Sequence, residues 1–380
     1  MTILGFTWYY VLTFLAVLSV LIYVHEFGHY WVARRNRVRV EVFSIGFGPE
    51  IWGRTDRNGT RWKICAIPLG GYVKMFGEYF PTADEPGEEP PLTPEEQTVS
   101  FTHKRLGQRA AIVAAGPIAN FLYAIFAFAV VFTLHGDPIP LAVIGEVVAG
   151  TPAAEVGVRP GDKIIAIESE LVTKFEDLRR IIGAHDGVSV RLRILRDGTE
   201  IVIAITPRSQ ANPDPAASGV RVGRIGVKPD PAHIAYERQS PLVALWMGTE
   251  RTVLASGQIL SYLGQVIVGR QDARDLGGPL RIAQMSGEVA QDGGLWSLLL
   301  FTAVLSVNLG LINLFPIPML DGGHLLFYAA EAVRGRPLSL RTQEYGFRFG
   351  LALVLLLTVF ATWNDLVNLK VIDFIRQLIT

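Results

Sequence analysis

Four long apolar stretches divide the sequence, and each is a candidate membrane span. They are Met1 to Val24, Ala110 to Leu134, Leu295 to Leu320 and Phe349 to Trp363, and the first three contain no charged residue. A helix needs about 20 mostly apolar residues to cross a bilayer. The fourth stretch is shorter than this. The pattern predicts a polytopic α-helical membrane protein with about four transmembrane helices.

The first apolar stretch could instead be a signal peptide that is removed from the mature protein. Its N-terminus lacks a basic region, its apolar run is too long, and no cleavage site of small residues follows it. We therefore predict that it is a retained membrane anchor.

Basic residues cluster at three places beside these stretches: Arg34 to Arg39, Lys104 to Arg109 and Arg334 to Arg348. With four spans, all three clusters fall on one side of the membrane. Cytoplasmic loops carry an excess of Lys and Arg, so this side is predicted to be the cytoplasm. The loop from His135 to Gly294 and both termini are then predicted to lie on the other side.

Short strands are predicted after the first span. The runs Arg61 to Ala66 and Gly71 to Phe76 are rich in β-forming residues and flank a turn at Pro68 to Gly71. Residues 81–97 are rich in proline and acidic residues, and such a composition predicts a disordered cytoplasmic loop.

The external loop is predicted to contain a compact domain. Thr151 and Pro152 are typical of the start of a short helix. Thr173 and Glu176 have the spacing of a capping box and precede an amphipathic helical pattern. Two β-rich runs flank Arg196 to Thr199, whose Asp-Gly pair is a strong hairpin signal.

This order of elements resembles a PDZ domain over about 65 residues, from VVAGTPAAEVGVRPGDKIIAIES to the hairpin. PDZ domains bind extended peptides by adding a strand to a sheet edge, so the resemblance implies contact with a peptide or substrate. The alternative is a packing or spacer domain.

Residues 208–239 look loop-like, and the pattern of residues 240–269 predicts an amphipathic helix at the outer membrane surface.

The composition agrees with a membrane protein, since half of the 380 residues are hydrophobic and 18% are charged. A soluble domain carries about 25% charged residues. The net charge of +0 gives no indication of nucleic-acid binding. Cys65 is the single cysteine, so an intrachain disulfide is excluded, and we interpret it as a small packed apolar residue rather than a metal ligand.

The sequence HEFGH ends the first apolar stretch and carries candidate chemistry. On a helix, His25 and His29 lie on one face and can bind one Zn²⁺, while Glu26 can act as general base. Ionisable groups at membrane depth are costly unless they are paired, and a cation would compensate them. The alternative is that these groups extend to the cytoplasmic interface beside Arg34 and Arg35, but this would not require their spacing.

Two histidines leave a catalytic zinc one protein ligand short. Asp321 is the best candidate, because it ends the third apolar stretch on the predicted side of the histidines. Pro316 and Pro318 should break the helix there, and broken backbone at membrane depth is tolerated where it lines a cavity. Asp292 and Asp365 fall on the opposite side. The alternative is an interfacial turn residue before a glycine pair.

Taken together, these residues resemble the site-2 protease family of intramembrane zinc metalloproteases, in particular its bacterial regulator-of-sigma-E protease branch. The likeness spans nearly the whole chain in order. The motifs that carry it are HEFGH at 25–29, GFGP at 46–49, PLGGYVKM at 68–75, GPIANF at 116–121 and NLGLINLFPIPMLDGGHLLF at 308–327.

The resemblance implies that His25, His29 and Asp321 bind zinc and that Glu26 activates water. It also implies that Asn313 bonds the substrate or its developing oxyanion, although a helix-capping or interhelical amide is the alternative. His324 is expected to support the site rather than to bind metal. The PLGGYVKM region is similar to a membrane-associated β-hairpin that pairs with unwound substrate. Family members with tandem PDZ domains carry two, whereas this chain is predicted to carry one.

Four parts are predicted: residues 1–134 with the HExxH helix, hairpin and second span; an extracytoplasmic PDZ-like domain at 135–207; a linker and amphipathic segment at 208–294; and residues 295–380 with the last two spans. The resemblance implies cleavage of single-span proteins already trimmed by another protease, such as an anti-sigma factor or a signal-peptide remnant, in a bacterial inner membrane. The rival hypotheses are a non-catalytic PDZ adaptor and a metal transporter.

Overall fold

The computed structural model describes residues 3–78, 92–211, 221–271 and 277–368. The chain forms two compact units: one combines Met1–Val131 with Pro241–Thr380, and the other is Phe132–Ser240. The first unit contains nearly all the apolar helices, and the second is a small α+β unit.

The first unit is mainly helical. Its helices are α1 (Ile3–Arg35), α2 (Pro94–Val99), α3 (Leu106–Leu134), α6 (Pro241–Ile267), α7 (Pro279–Asn313), α8 (Asp321–Arg334) and α9 (Leu340–Asn368). Within the described residues, four helices are long and apolar enough to cross a membrane: Trp8–Arg35, Leu106–Leu134, Pro279–Asn313 and Arg341–Val367. The prediction of a polytopic helical membrane protein is confirmed, and the fourth helix is longer than its apolar stretch indicated.

The third span differs from its predicted bounds. The helix begins at Pro279 and ends at Asn313, whereas the apolar stretch ran from Leu295 to Leu320. Gly294 interrupts the helical dihedrals with φ 64° and ψ −159°. The helix stops early because proline lacks an amide N–H and clashes with the preceding turn. The seven residues of the apolar stretch after Asn313 therefore form the connection to α8.

α1 and α3 approach each other closely at Gly28. A Cβ atom at this position would lie 2.3 Å from the carbonyl oxygen of Ala115 and 2.8 Å from Ala119 Cβ. Small residues allow such backbone contact between membrane helices. The glycine inside HEFGH is therefore required by packing, and it places α3 directly beside the two histidines.

A β-ribbon follows α1. β1 (Val40–Thr55) pairs with β2 (Arg61–Met75), and Ile45 lies opposite both Gly71 and Ile64. The first part of β1 is therefore flanked by two segments of β2. The segment 71–75 pairs with β1 on one side only among the described strands. A Cβ atom on Gly71 would lie 2.6 Å from Ile22 Cγ2 and 3.0 Å from Glu26 Cγ, so this segment passes directly over α1.

The prediction of disorder across residues 81–97 is wrong at its end, and residues 81–91 lie outside the described residues. α2 begins at Pro94, where Thr93 and Glu96 form a capping box: Thr93 Oγ1 accepts from the Glu96 amide, and Glu96 Oε2 accepts from the Thr93 amide at 2.9 Å. These local hydrogen bonds stabilise one helical turn in spite of the acidic composition.

The second unit is built on a small sheet. Its elements are β3 (Asp137–Pro140), β4 (Ile144–Val147), α4 (Pro152–Glu155), β5 (Lys163–Ile167), β6 (Glu170–Leu171), α5 (Phe175–Ala184), β7 (Val190–Arg196), β8 (Thr199–Ile205), β9 (Arg208–Ala211), β10 (Arg221–Arg224), β11 (Val227–Pro229) and β12 (Ile234–Glu237). The strand order β6-β5-β7-β8 forms a four-stranded sheet. Its apolar residues pack with Leu178, Ile181 and Ile182 of α5 into one core.

Two details of the second unit differ from the sequence prediction. α5 is capped by Asp177, whose Oδ2 accepts from the amides of Thr173 at 3.3 Å and Lys174 at 3.0 Å, so the helix begins one residue later than expected. The unit also extends to Ser240, because β11 pairs with β4 and β12 pairs with β3. These strands have three or four residues each, too few to show a β-alternation in the sequence.

α6 occupies the predicted amphipathic segment. Its buried residues are Ala244, Gly248 and Thr252, which are spaced by four and form one stripe. A Cβ atom on Gly248 would lie 2.7 Å from the carbonyl oxygen of Ile125, so this stripe packs on α3. Trp246 on another face is 72% exposed. An exposed apolar side chain of this size is typical of a helix in contact with lipid.

Asp365 of α9 is expected to be a stability determinant. It is 1% exposed, and its carboxylate accepts hydrogen bonds from the amides of Gly278, Leu280 and Arg281 at 2.8, 2.9 and 3.1 Å. The carboxylate therefore caps the N-terminus of α7. Asp365→Ala should lower the free energy of unfolding by about 2–4 kcal/mol, because a helix cap and buried hydrogen bonds are lost together.

Thermal unfolding in detergent would measure this effect, with Asp292→Ala as the control. Asp292 is exposed on α7, so its removal should leave the unfolding temperature nearly unchanged. Equal unfolding temperatures for the two variants would contradict the capping role.

Candidate metal centre

Three predicted metal ligands come together in the first unit. His25 and His29 lie one helical turn apart on α1, and Asp321 is the first residue of α8. One ligand atom from each of the three lies within 4.8 Å of the other two. This is the only such group of three among the described residues. Nearly 300 residues of sequence separate the histidines from the carboxylate, and the fold closes this distance.

The atoms facing one another are those that bind metals. Asp321 Oδ2 lies 3.2 Å from His25 Nε2 and 3.5 Å from His29 Nε2, and the two Nε2 atoms are 3.3 Å apart. Asp321 Oδ2 is buried and accepts no hydrogen bond of normal geometry. Three donor atoms around one point, with a buried carboxylate oxygen left unsatisfied, are the arrangement that a bound cation would complete.

The backbone before Asp321 is tightly packed. A Cβ atom on Gly322 would lie 2.3 Å from the carbonyl oxygen of Leu314, and one on Gly323 would lie 2.4 Å from that of Ile317. Both glycines are therefore needed for the 314–320 connection to fold onto α8. Met319 has φ 94°, a conformation that L-residues rarely adopt and that concentrates at functional sites. This connection fixes Asp321 at the start of the helix.

One face of α3 holds both imidazole rings. The carbonyl oxygen of Ile112 lies 2.9 Å from His29 Nδ1, and Asn120 Nδ2 lies 3.0 Å from His25 Nδ1. Ser306 of α7 in turn donates to the backbone oxygen of Asn120 at 2.9 Å. Partners at Nδ1 orient the rings so that Nε2 faces the cluster, which is how outer contacts tune metal ligands.

Gly116 lies between these two contacts on the same face of α3, four residues from each. A Cβ atom there would lie 2.3 Å from His29 Nε2 and 2.8 Å from His25 Cε1. The position therefore has room only for glycine while the rings keep their places. The sequence prediction assigned no role to Gly116, Asn120 or Ser306. The four-residue spacing of Gly116 and Asn120 in GPIANF indicates that the two share one helix face, but not that this face meets the histidines.

Glu26 is buried next to the cluster but is not one of the three grouped ligands. It lies on α1 beside the segment 71–75 of β2, close to Gly71. A buried carboxylate between the ligand cluster and a strand edge is suitably located to exchange protons with a reactant at that edge.

The other predicted site residues lie outside the cluster. Asn313 ends α7, and its Nδ2 donates to the carbonyl oxygen of Leu309 at 3.0 Å, one turn back in its own helix. Its substrate-binding role stays a prediction. The ring of His324 lies 5.3 Å from that of Phe347 and is not among the grouped ligands. Cys65 is buried, with Sγ 3.4 Å from Ser44 Oγ, as expected for a packed residue.

The sequence is similar to those of known proteins over nearly the whole chain. The model of peptidase family M50 matches residues 13–357. A Rhizobium meliloti protein, provisionally named a zinc metalloprotease, is 44% identical over 94% of this chain and 96% of its own length. A similarly named Agrobacterium fabrum protein is 44% identical over 96% and 97% of the two chains. Metalloprotease MmpA of Caulobacter vibrioides is 37% identical over 96% and 97%.

Proposed function

Because the chain belongs to peptidase family M50, the site-2 proteases, we propose that this multi-pass zinc metalloprotease cuts peptide bonds within the transmembrane segments of other proteins. The observation that supports this best is the position of the cluster. His25 and His29 lie in the last turns of a candidate span, and the cluster that they form with Asp321 is largely buried. A protease centre at this depth is suited to substrates that are themselves in the membrane.

We propose that His25, His29 and Asp321 hold the zinc. When bound, zinc acts as a Lewis acid that polarises the scissile carbonyl and acidifies a water molecule. Glu26 removes a proton from the attacking water as the oxygen–carbon bond forms. The same carboxylic acid then gives this proton to the amine nitrogen as the carbon–nitrogen bond breaks. Glu26 therefore takes up and returns the same proton, so no second acid is required.

A helical substrate must unwind before it can be cut, because its carbonyl groups are engaged in its own hydrogen bonds. The segment 71–75 of β2 offers an edge with one free side among the described strands, next to Glu26. An unwound substrate strand that pairs with this edge would regain the backbone hydrogen bonds it had lost. This is the role we propose for the β-ribbon, which we also propose to be associated with the membrane.

We further propose that the second unit is a single PDZ-like domain that contacts substrate. A groove of about 460 Å³ runs between α5 and the strands β10 and β11. Phe175, Leu178 and Ile182 give it an apolar wall on the helix side. An apolar groove between a helix and a strand edge is the form in which PDZ domains accept an extended peptide.

The proposed substrates are single-span proteins whose external domain another protease has already removed, such as an anti-sigma factor or a signal-peptide remnant. The proposed location is a bacterial inner membrane, with the metal centre towards the cytoplasm and the second unit in the periplasm. The basic clusters after α1, before α3 and between α8 and α9 support this orientation.

Cleavage is expected inside the substrate span and only while zinc is present. The purified protein in detergent would be mixed with a tagged single-span substrate that lacks its external domain, and the products would be weighed by mass spectrometry. A zinc chelator should stop product formation, because the metal supplies the electrophile, and added Zn²⁺ should restore it.

Two results would contradict the proposal. A cut outside the apolar span would indicate an ordinary surface protease. Chelator-resistant cleavage would indicate a contaminating enzyme or a different centre. If zinc binds and no substrate is cut, metal flux measured in vesicles would test the transporter hypothesis.

A further inference from the structure

We propose that a cationic cavity at the ends of α1 and α3 binds the phosphate of an anionic phospholipid headgroup. The cavity has a volume of about 450 Å³ and is separate from the metal centre. Four of its eight lining residues are cations: Arg35, Arg37, Lys104 and Arg105. None of the described residues that line it is acidic. Four positive charges around one concavity attract an anion, and a phosphate group matches both their charge and their donors.

In the part of the chain that the structure describes, no carboxylate neutralises the four cations. Among the described residues, none of them forms an ion pair, whereas some other exposed cations of the first unit do, such as Arg39 with Glu41 and Lys74 with Glu41. Burial and the nearby Arg37 guanidinium lower the pKa of the Lys104 ammonium, so the charges are close enough to repel one another. An anion bound between them would remove this repulsion.

The cavity lies at the level where lipid headgroups are found. The first candidate span ends at Arg35 and the second begins at Leu106, directly after Arg105. Trp31, one turn before Arg35, is 51% exposed, and the Arg35 guanidinium lies 5.0 Å from its ring centre. Exposed tryptophan at the end of a span is typical of the membrane interface. A lipid phosphate therefore has direct access to the cavity from the bilayer.

The backbone at Arg37 supports a specific role for its side chain. Its φ is 58°, in the left-handed region that glycine usually occupies after a helix. Arginine at such a position costs more than glycine would, and residues in this conformation concentrate at functional sites. Polar neighbours complete the cavity: Lys104 Nζ donates to the Thr98 carbonyl oxygen at 2.5 Å, and Gln108 Nε2 donates to Asn36 Oδ1 at 3.1 Å.

Native mass spectrometry of the full-length zinc-loaded protein would test this proposal. The protein would be titrated with phosphatidylglycerol, which is anionic, and with zwitterionic phosphatidylethanolamine. Tighter binding of phosphatidylglycerol is expected. The double variant Arg37→Gln/Arg105→Gln should weaken it by about 25-fold, since each cation near an anionic lipid surface contributes roughly a fivefold change in binding.

The matched control is Arg334→Gln/Arg336→Gln. It removes the same charge from exposed positions at the end of α8 that do not line the cavity, and should change binding less than twofold. Equal losses in both double variants would overturn the site, because general attraction between charges would then explain the binding. Equal affinities of the wild type for the two lipids would also overturn it.

Two further experiments use the wild-type protein, so neither depends on a variant that could fail to fold. One tests the source of the phosphate, and the other tests where the lipid binds. Inorganic phosphate should compete with phosphatidylglycerol only weakly, and displacement at equal concentrations would indicate a free-anion site instead. In the wild-type protein, a phosphatidylglycerol analogue with a photoreactive headgroup should label peptides that contain residues 35–37 or 98–108. Labelling confined to other peptides would overturn the proposal. An acidic protein segment that occupied the cavity in place of lipid would also give this result.

Discussion

Replacing Glu26 with glutamine is expected to abolish measurable cleavage and to leave zinc in place. The substitution keeps the size of the side chain but removes the group that accepts the proton from water. General acid–base catalysis contributes about 100- to 10,000-fold, and here one residue serves both proton transfers, so the loss should reach the upper end of this range. Glu26 is not among the grouped ligands, so metal content should not change.

Cleavage of the truncated single-span substrate and zinc per molecule by elemental analysis would be measured together. His25→Ala is the companion variant, because it removes a ligand and should lower both quantities. Glu26→Gln with activity within tenfold of the wild type would exclude Glu26 as the proton carrier. A loss of zinc in Glu26→Gln would instead make Glu26 part of the metal site.

Adding a single methyl group at Gly116 is expected to disrupt the metal centre. In Gly116→Ala the new Cβ would lie 2.3 Å from His29 Nε2, so the imidazole or the helix must move. Displaced ligands bind metal more weakly, and disturbing the support of a metal histidine costs about 10- to 100-fold in affinity or activity. A direct clash with a ligand atom should reach at least the upper value, and zinc content after dialysis should fall.

Gly107→Ala provides the control in the same helix. Nothing lies within 4 Å of a Cβ atom at Gly107, so this variant makes the same chemical change without a clash. Gly107 lies in the first turn of α3 and Gly116 precedes Pro117, so the two variants differ in helix stability as well. Zinc content is therefore the quantity compared, because only the clash at Gly116 involves the imidazole rings. Full zinc content in Gly116→Ala would show that the rings do not lie against α3 as described.

The apolar pattern was sufficient to predict which segments form long helices, because length and composition decide this locally. It could not place the ends of α7. The break at Gly294 and the stop at Asn313 depend on the glycine conformation and on the prolines that follow, which hydropathy does not record. The strands β11 and β12 were missed for a related reason, since each exists only through pairing with a strand about 80 to 100 residues earlier.

The residues of the site also divide into those that the sequence could identify and those that only the fold identifies. HEFGH and Asp321 could be selected from the sequence because metal-binding residue types at membrane depth are chemically conspicuous. Asn120 and Ser306 are ordinary polar residues, and nothing in their local sequence states that one faces His25 and the other supports it. Gly116 is harder still, since its function is the space left by a missing side chain. Such roles are defined by distance in the fold.

The wide separation of Asp321 from the histidines has a consequence for biosynthesis. On the ligand set that we propose, a nascent chain that has been translated through the second span carries His25 and His29 but lacks Asp321, and two protein ligands are one fewer than a catalytic zinc site uses. The centre can form only after α7 has been inserted and α8 has docked. We therefore expect incomplete or truncated chains to be inert towards neighbouring membrane proteins, with hydrolytic capacity appearing only when assembly is finished.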